Sequence, residues 1–253
     1  MTQTIRLDAE SRRLEFHCEV DWQEQHALLA VRFPTTVLSD RATFEMPFGF
    51  AARPTHCNTA ADAAQFEVAG HRWADLSEPG YGLALLTDCK YGFSVSRGDL
   101  ALSLLRAPTY PDQKCDIGHH QFAYAAMPHA GDWRQGRVVS EAIAFNQPLL
   151  WVARPPDDAG QSLFAVEGDL VLDTIKPAEE GDGVVVRLYD PFGQRGQAVL
   201  KTKLAFTRGC RSNILEDELE EVELAADPHD ANDSWKSIAI DYRPSEIVCL
   251  HLK

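Results

Sequence analysis

The sequence has 253 residues, of which 45% are hydrophobic, so the chain can bury a core and is not a disordered protein. Its 38 acidic residues outnumber its 24 basic ones, and the resulting formal charge of -14 repels phosphate backbones and anionic lipid head groups. We therefore expect no nucleic-acid partner and no membrane partner.

The sequence also lacks signals for export. The N-terminal stretch MTQTIRLDAESRRLEF has no apolar run preceded by positive charge, and no later segment approaches the length of a membrane span. Six cysteines lie far apart with no CxxC pair, which fits neither a zinc ribbon nor a thioredoxin-type motif. They are Cys18, Cys57, Cys89, Cys115, Cys210 and Cys249. We predict reduced thiols and a cytoplasmic location.

Alternating apolar and polar residues predict β-strands. In LEFHCEVDW, residues 14–22, apolar side chains recur at every second position, which is the period of a strand with one buried face. HALLAVRFP, LALLTDCKYGFSV and DLALSLLRAP follow, and the last two are joined across Ser96, Arg97 and Gly98 like a hairpin. Further strand candidates are GVVVRLYD, QAVLKTKLAF, EVELA, SIAIDYRP and EIVCLHLK, which are short and bounded by turn residues.

Helical periodicity is nearly absent. SNILEDELEEVEL, residues 212–224, contains good helix formers, but the overlapping EVELA, residues 221–225, fits a strand equally well. Many short strands separated by turns predict an all-β fold. Three prolines and a polar tail interrupt the strands in NQPLLWVARPPDDAGQS, residues 146–162. We therefore predict two antiparallel β-sandwich units, a larger one at residues 1–155 and a smaller one at residues 156–253.

The stretch DIGHHQFAYAAMPHAG, residues 116–131, concentrates potential metal ligands. They are Asp116, His119, His120 and His129. Neighbouring residues on a strand point to opposite faces, so His119 and His120 need a bend to hold one ion. The alternative, which the spacing favours, is a turn at Asp116 and Gly118, with one histidine hydrogen-bonded to the backbone and alternate aromatic residues in a core.

A second polar stretch, RPTHCNTAADAAQFEVAGHRWADLSEPGYG, combines residue types that sugar sites use. Aromatic faces cover the apolar side of a pyranose ring, and carboxylates and amides meet its hydroxyls. The candidates are His56, Asn58, Asp62, His71, Arg72, Trp73, Asp75 and Glu78. The alternative is a long polar connection that is pinned by Trp73 in the core, and the residues alone favour it.

Four stretches in chain order carry a family resemblance. The first two are FEMPFGFAARPTHCNTAADAAQFEVAGHRWADLSEPGYGLALLTDCKYGFSV and LALSLLRAPTYPDQKCDIGHHQFAYAAMPHAG, and the later two are VVVRLYDPFGQRG and YRPSEIVCLHL. Together they span nearly the whole chain. They resemble the C-terminal region of class II alpha-mannosidases, glycoside hydrolase family 38, and especially its cytosolic-type branch.

The resemblance implies a longer enzyme whose N-terminal α/β catalytic domain carries the zinc ligands and an aspartate nucleophile. Those motifs are not found in this sequence, so the chain resembles a fragment that is inactive alone, with zinc expected in the missing catalytic domain and no catalytic or metal residue here. The expected partners are that catalytic domain and a mannose-containing oligosaccharide.

The resemblance also implies a loop from the C-terminal β region that contacts the sugar. A rough alignment places this loop at Asp116 to His120, where some members of the family use an arginine and this sequence has histidines. The substrate-proximal candidates are Asp116, Gly118, His119, His120, Lys90, Tyr91, His56 and Asn58. Arg187 and Asp190 also match a family motif, and we expect them to be structural.

Two other functions remain as alternatives. One is a free-standing carbohydrate-binding β module that binds mannosides without catalysis. The other, weaker one is a metal-dependent enzyme that uses His119, His120 and His129.

Overall fold

The structure is a computed structural model that describes residues 1–150, 153, 162–227 and 235–253. Its contacts divide the chain into two compact units, Met1–Leu149 and Leu150–Lys253. The boundary predicted at residue 155 lies outside the described residues. Antiparallel strands dominate both units, and both helices in the described ranges are too short to cross a membrane. The all-β fold class is confirmed.

The first unit contains two sheets that share one hydrophobic core. Its elements are β1 (Thr2–Arg6), β2 (Leu14–Trp22), β3 (Leu28–Pro34), β4 (Arg41–Met46), β5 (Gly49–Pro54), α1 (Ala60–Ala64), β6 (Val68–Ala69), β7 (Trp73–Glu78), β8 (Tyr81–Thr87), β9 (Gly92–Ser96), β10 (Asp99–Arg106), β11 (Gly118–Ala130) and α2 (Val138–Asn146). Seven strands form a sheet in the order β1-β2-β11-β8-β7-β4-β5, and four form a second sheet in the order β3-β10-β9-β6. One cluster of buried residues draws on both sheets, as in a β-sandwich.

The alternation in β2 has the predicted structural consequence. Cys18, Val20 and Trp22 are buried in the core between the sheets, while the polar residues between them are exposed. On the neighbouring strand β11, Tyr124 lies in the same core, and its ring stacks on that of Phe16 at a centroid distance of 4.9 Å. The strand predicted from LEFHCEVDW is therefore confirmed over Leu14–Trp22.

The predicted hairpin is also confirmed, as β9 and β10. Ser96 pairs with Asp99, so Arg97 and Gly98 form a two-residue turn, and both have positive φ, 49° and 83°. These values are typical of a type I′ turn, whose twist matches that of the flanking strands. The preceding run LALLTDCKYGFSV is not one strand, because its first half belongs to β8 in the seven-stranded sheet and its second half to β9 in the other sheet.

A helix that the sequence did not predict covers the outer face of the seven-stranded sheet. Helix α2 packs against β7 and β8 through Val138, Val139 and Ala142. Shortly before this helix in the chain, Trp133 packs on Trp73, the first residue of β7. The ring centroids are 5.1 Å apart, and both indoles are buried. Trp73 is therefore a core residue, as the structural interpretation of the second polar stretch predicted.

The second unit is a smaller pair of sheets. Its strands are β12 (Phe164–Glu167), β13 (Val171–Pro177), β14 (Val184–Tyr189), β15 (Gly196–Thr202), β16 (Gly209–Ser212), β17 (Glu218–Val222), β18 (Ala225–Ala226), β19 (Lys236–Tyr242) and β20 (Ile247–Leu252). The orders are β12-β15-β19-β18 and β13-β14-β20-β16-β17, and alternate residues of both sheets form one core. The stretch with two open interpretations, residues 212–224, contains a turn and the edge strand β17 rather than a helix.

Arg187 and Asp190 stabilise turns in this unit. The Arg187 guanidinium donates to the carbonyl oxygen of Ile214 at 3.0 Å and lies 3.7 Å from the Glu216 carboxylate. Asp190 is fully buried and accepts hydrogen bonds from three backbone N–H groups in two loops, at 2.8–2.9 Å. These contacts agree with the structural roles predicted for the two residues.

Candidate functional site

Three of the predicted sugar-contacting residues line one surface cavity in the first unit. This cavity, which we call the Asp116 groove, has a volume of about 490 Å3 and lies where β9 begins and β10 ends. Lys90, Tyr91 and Asp116 line it together with Glu67 and Arg106. The structure thus brings together residues that are separated by up to 49 positions in the sequence, from Glu67 to Asp116.

Asp116 is held by the turn that leads into β11. Its φ is 59°, a left-handed conformation that aspartate tolerates better than most residues, and Gly118 follows with φ 137°. The Asp116 carboxylate accepts a hydrogen bond from the backbone N–H of Arg106 at 3.1 Å, and the backbone carbonyl of Asp116 lies 2.7 Å from His120 Nε2. The predicted turn with one backbone-bonded histidine is therefore present, and it fixes the carboxylate at the groove.

Lys90 and Tyr91 are positioned by the connection between β8 and β9. The backbone N–H of Lys90 donates to Thr87 Oγ1 at 2.9 Å, and Lys90 Nζ lies 4.5 Å from the centre of the Phe122 ring. The Tyr91 ring contacts His71 edge to face at 5.8 Å, yet 58% of Tyr91 is exposed. An exposed aromatic face beside charged groups is available to a ligand.

The charges in the Asp116 groove are balanced. Two cations, Lys90 and Arg106, stand beside two carboxylates, Glu67 and Asp116, and Ser103 donates to Glu67 at 2.5 Å. Such a set can donate to and accept from the hydroxyls of an uncharged ligand. Burial, with the Asp88 carboxylate beside it, raises the pKa of the Cys89 thiol to about 11, so Cys89 is a thiol and not a nucleophilic thiolate at neutral pH.

Arg106 and Glu67 were missed from the sequence. Arg106 is the last residue of β10 and lies ten positions before Asp116, so only the folded connection shows that the two are neighbours. Glu67 lies within the second polar stretch, but nothing in its spacing set it apart from the other acids there. One sequence signal could have identified Arg106. The family resemblance implied an arginine near the sugar loop, and Arg106 lies ten positions before Asp116.

The three-histidine metal site is wrong. His119 and His129 lie on one continuous strand, ten residues apart, which separates them by about 33 Å. His119 is exposed, and His129 is buried beside Asp75. Throughout the described ranges, no group of three or more His, Cys, Asp or Glu residues is arranged to hold a metal ion. The described residues therefore offer no set of ligands that fits zinc.

His56 and Asn58 lie elsewhere. Together with Arg97 they line a second cavity of about 870 Å3, which we call the Arg97 cavity. It lies at the turn of the β9–β10 hairpin, whereas the Asp116 groove lies at the open end, and five residues of extended strand separate the two ends by about 16 Å. The eight predicted residues therefore do not form a single site.

The remaining polar residues of the second stretch serve the fold. Arg72 forms an ion pair with the buried carboxylate of Glu45, and the Glu78 carboxylate accepts from the backbone N–H of Leu38 at 2.7 Å. Asp75 accepts a hydrogen bond at 2.6 Å from His129, and both side chains are inaccessible to solvent. The residues of this stretch are thus close together in the sequence but do not form one sugar site.

Comparison with known proteins identifies the family. The description "Glycosyl hydrolases family 38 C-terminal domain" matches residues 1–114, and "Glycosyl hydrolases family 38 C-terminal beta sandwich domain" matches residues 169–250. Alpha-mannosidase 2C1 of Homo sapiens is 45% identical over 222 residues, which are 85% of this chain and 21% of that protein. Alpha-mannosidase G of Dictyostelium discoideum is 38% identical over 244 residues, which are 93% of this chain and 22% of that protein.

A solved structure shows the same fold. The crystal structure of an alpha-mannosidase from Enterococcus faecalis V583 superposes with a TM-score of 0.79 at 17% identity, over 98% of this chain and 28% of that one. The chain spans about a fifth of the length of each of the two relatives named above, alpha-mannosidase 2C1 and alpha-mannosidase G. The two family matches cover most of its residues, and they agree with the two β-sandwich units of the structure. The chain belongs to glycoside hydrolase family 38, and it carries the C-terminal β region of that family.

Proposed function

We propose that this chain is the C-terminal β-sandwich portion of an alpha-mannosidase, which hydrolyses alpha-mannosidic bonds in oligosaccharides. In this role it supports a catalytic domain of the same polypeptide and supplies part of the sugar site. The observation that carries the proposal is the Asp116 groove, where the predicted loop residue Asp116 meets Lys90 and Tyr91 in a chain whose relatives are named alpha-mannosidases.

The groove residues suit a neutral sugar. The Asp116 carboxylate accepts from hydroxyl groups, the Lys90 and Arg106 side chains donate to them, and the exposed Tyr91 ring offers a flat apolar face to a pyranose. Arg106 supplies a guanidinium next to the Asp116 turn. We assign to Arg106 the role that the resemblance gives to a loop arginine.

The chain alone is expected to be inactive. Retaining hydrolysis needs a carboxylate nucleophile and a second carboxyl group across the scissile bond, and this family also needs zinc, for which the described residues form no site. Zinc and the nucleophile would come from the catalytic domain. The six free cysteines support a cytoplasmic location.

Two tyrosines allow a matched test in the longer polypeptide that contains this chain. Tyr91 lines the groove and Tyr110 does not, although both are exposed. We expect Tyr91→Ala and Asp116→Asn each to lower kcat/KM for an aryl alpha-mannoside roughly ten-fold or more, and Tyr110→Ala to leave it within two-fold. Asp116→Asn keeps an oxygen that accepts from the Arg106 N–H group. Equal effects of the two tyrosine variants would contradict the role of the groove.

The isolated 253-residue chain separates this function from the alternative. As a part of the enzyme it should not hydrolyse the mannoside, with or without added zinc. Hydrolysis by the isolated chain would show that a catalytic domain is not needed. A free-standing mannoside-binding module, in contrast, would occur in cells as a polypeptide without a catalytic domain.

A further inference from the structure

The Arg97 cavity has the features of a second ligand site. It is about 870 Å3 in volume and is formed by three separate loops, at residues 35–40, 55–58 and 96–98. Hydrogen bonds fix these loops to one another and to the sheets. Thr35 donates to the Gly98 carbonyl oxygen through both its N–H group, at 2.9 Å, and its hydroxyl, at 2.7 Å, and the Thr55 hydroxyl donates to the Ser39 carbonyl oxygen at 2.6 Å. The cavity is therefore preformed.

Arg97 occupies an unfavourable backbone conformation at this site. Its φ of 49° places it in the left-handed region, which long side chains rarely adopt and which asparagine adopts readily. At the first position of a type I′ turn before glycine, asparagine is the preferred residue. Gly98 is required, because a Cβ there would lie 2.8 Å from the Thr35 carbonyl oxygen.

No contact of the Arg97 side chain with the described residues offsets its unfavourable backbone conformation. In the described part of the chain, the exposed Arg97 side chain has no hydrogen bond, ion pair or aromatic contact. Asn58, Ser96 and Thr36 line the same cavity, and their side chains are likewise without partners among the described residues. All four side chains are exposed at the cavity, so their polar groups are solvated and available to a ligand.

The groups of the cavity decide the class of ligand. Arg97 donates, the Asp40 carboxylate accepts, and Asn58, Ser96 and Thr36 can do both, which suits the hydroxyls of a sugar. Asp40 and the charge of -14 disfavour an anion. We propose that the Arg97 cavity binds a neutral saccharide, separately from the Asp116 groove. The choice of a mannoside as the probe rests on the proposed function, but the site itself does not.

The test uses the isotopically labelled 253-residue chain and a linear alpha-linked mannotriose, followed by NMR. We expect saturable shifts of the amides at residues 35–40, 55–58 and 96–98. Arg97→Asn should weaken this binding at least ten-fold, because it removes charge-assisted hydrogen bonds. The same variant should not lower the melting temperature, because asparagine relieves the strain of the turn. Asn58→Ala, on a different loop, should also weaken binding.

The groove variant Tyr91→Ala provides the control and should leave mannotriose binding at the Arg97 cavity unchanged. Shifts confined to the Asp116 groove, lost in Tyr91→Ala and kept in Arg97→Asn, would overturn this proposal and leave the proposed function intact. No saturable binding, or shifts at the Arg97 cavity with inorganic phosphate instead of the trisaccharide, would also overturn it. A lower melting temperature of Arg97→Asn would contradict the argument from strain.

Discussion

Replacing His129 with leucine should destabilise the first unit by about 3 to 4 kcal/mol at pH 7. The His129 and Asp75 side chains are 0% and 1% exposed, and His129 Nε2 lies 2.6 Å from the Asp75 carboxylate. The variant leaves that carboxylate buried, and among the described residues the Ser77 hydroxyl, at 2.7 Å, is its remaining side-chain partner. Breaking a buried ion pair by removing one partner costs about 3 to 5 kcal/mol.

The cost of protonating the buried Asp75 gives a second estimate of this destabilisation, and it has a similar magnitude. Without His129, Asp75 avoids a buried charge by binding a proton, and this costs about 1.4 kcal/mol for each pH unit above the ordinary aspartate pKa of about 3.9. At pH 7 the cost is therefore about 4 kcal/mol, and at pH 5 about 1.5 kcal/mol. Burial already raises the pKa of Asp75 in the native chain. This direction agrees with the expectation that the buried carboxyl binds a proton when His129 is removed.

The native chain has a weaker pH dependence of the same sign. Burial lowers the pKa of His129, but the hydrogen bond and charge of Asp75 outweigh it and raise that pKa above its ordinary value. The stability from this group is fully present below the unfolded histidine pKa of about 6.5 and is lost as the pH rises through the folded pKa. In the variant the buried Asp75 carboxyl loses its charged partner and must bind a proton, whereas in the native chain His129 offsets part of that cost, so the destabilisation by His129→Leu should be larger at pH 7 than at pH 5.

Urea unfolding at both pH values, followed by the fluorescence of the nearby buried Trp73 and Trp133, measures this difference. His119→Leu is the matched control, because His119 lies on the same strand and is exposed, so its effect should stay within about 0.5 kcal/mol. A cost of His129→Leu below about 1 kcal/mol, or an equal cost at pH 5 and pH 7, would refute the reasoning.

Three further variants and one control test the packing and the buried polar contacts by urea unfolding. Gly82→Ala should cost about 2 kcal/mol or more, because the added Cβ would lie 2.7 Å from His129 Nε2, whereas Gly49→Ala, with no atom within 4 Å of its Cβ, should be nearly neutral. Asp190→Ala should cost about 3 kcal/mol or more, since it leaves three backbone N–H groups without their acceptor; a loss under about 1 kcal/mol would contradict this role. Glu45→Gln should cost about 2 kcal/mol by breaking the ion pair to Arg72, and an unchanged midpoint would contradict the value assigned to that pair.

Much of the fold follows from the period of two along the chain. In LEFHCEVDW the alternation is nearly complete, and the strand and its buried face were both predicted. Helix α2 was not, because its apolar residues Val138, Val139 and Ile143 include β-branched side chains, which also favour strands, and the helix is stabilised by packing on β7 and β8.

The candidate site was predictable in part. Asp116, Lys90 and Tyr91 came from the family resemblance, and the structure places all three at one groove. Glu67 and Arg106 join them only through the pairing of β9 with β6 and β10, which sequence spacing does not reveal. His56 and Asn58 were predicted, like Lys90 and Tyr91, to lie near the missing catalytic domain, but they line the Arg97 cavity at the opposite end of the β9–β10 hairpin.

The histidines show how far a residue type alone can mislead. His119, His120 and His129 suggested a metal site, yet strand geometry gives each a different environment. His119 is exposed, His120 bonds to the backbone carbonyl oxygen of Asp116, and His129 is paired in the interior with Asp75. The distance along a strand, about 3.3 Å per residue, decides against a shared ion.

The central claim is that this chain works as part of a longer alpha-mannosidase, and one measurement tests it most directly. An antibody raised against the 253-residue chain would be used to precipitate the native polypeptide from extract of cells that express the gene, and its mass and alpha-mannosidase activity would be determined. The account predicts a polypeptide several times heavier than 28.1 kDa that hydrolyses an aryl alpha-mannoside. A precipitated polypeptide of 28.1 kDa without that activity would contradict it.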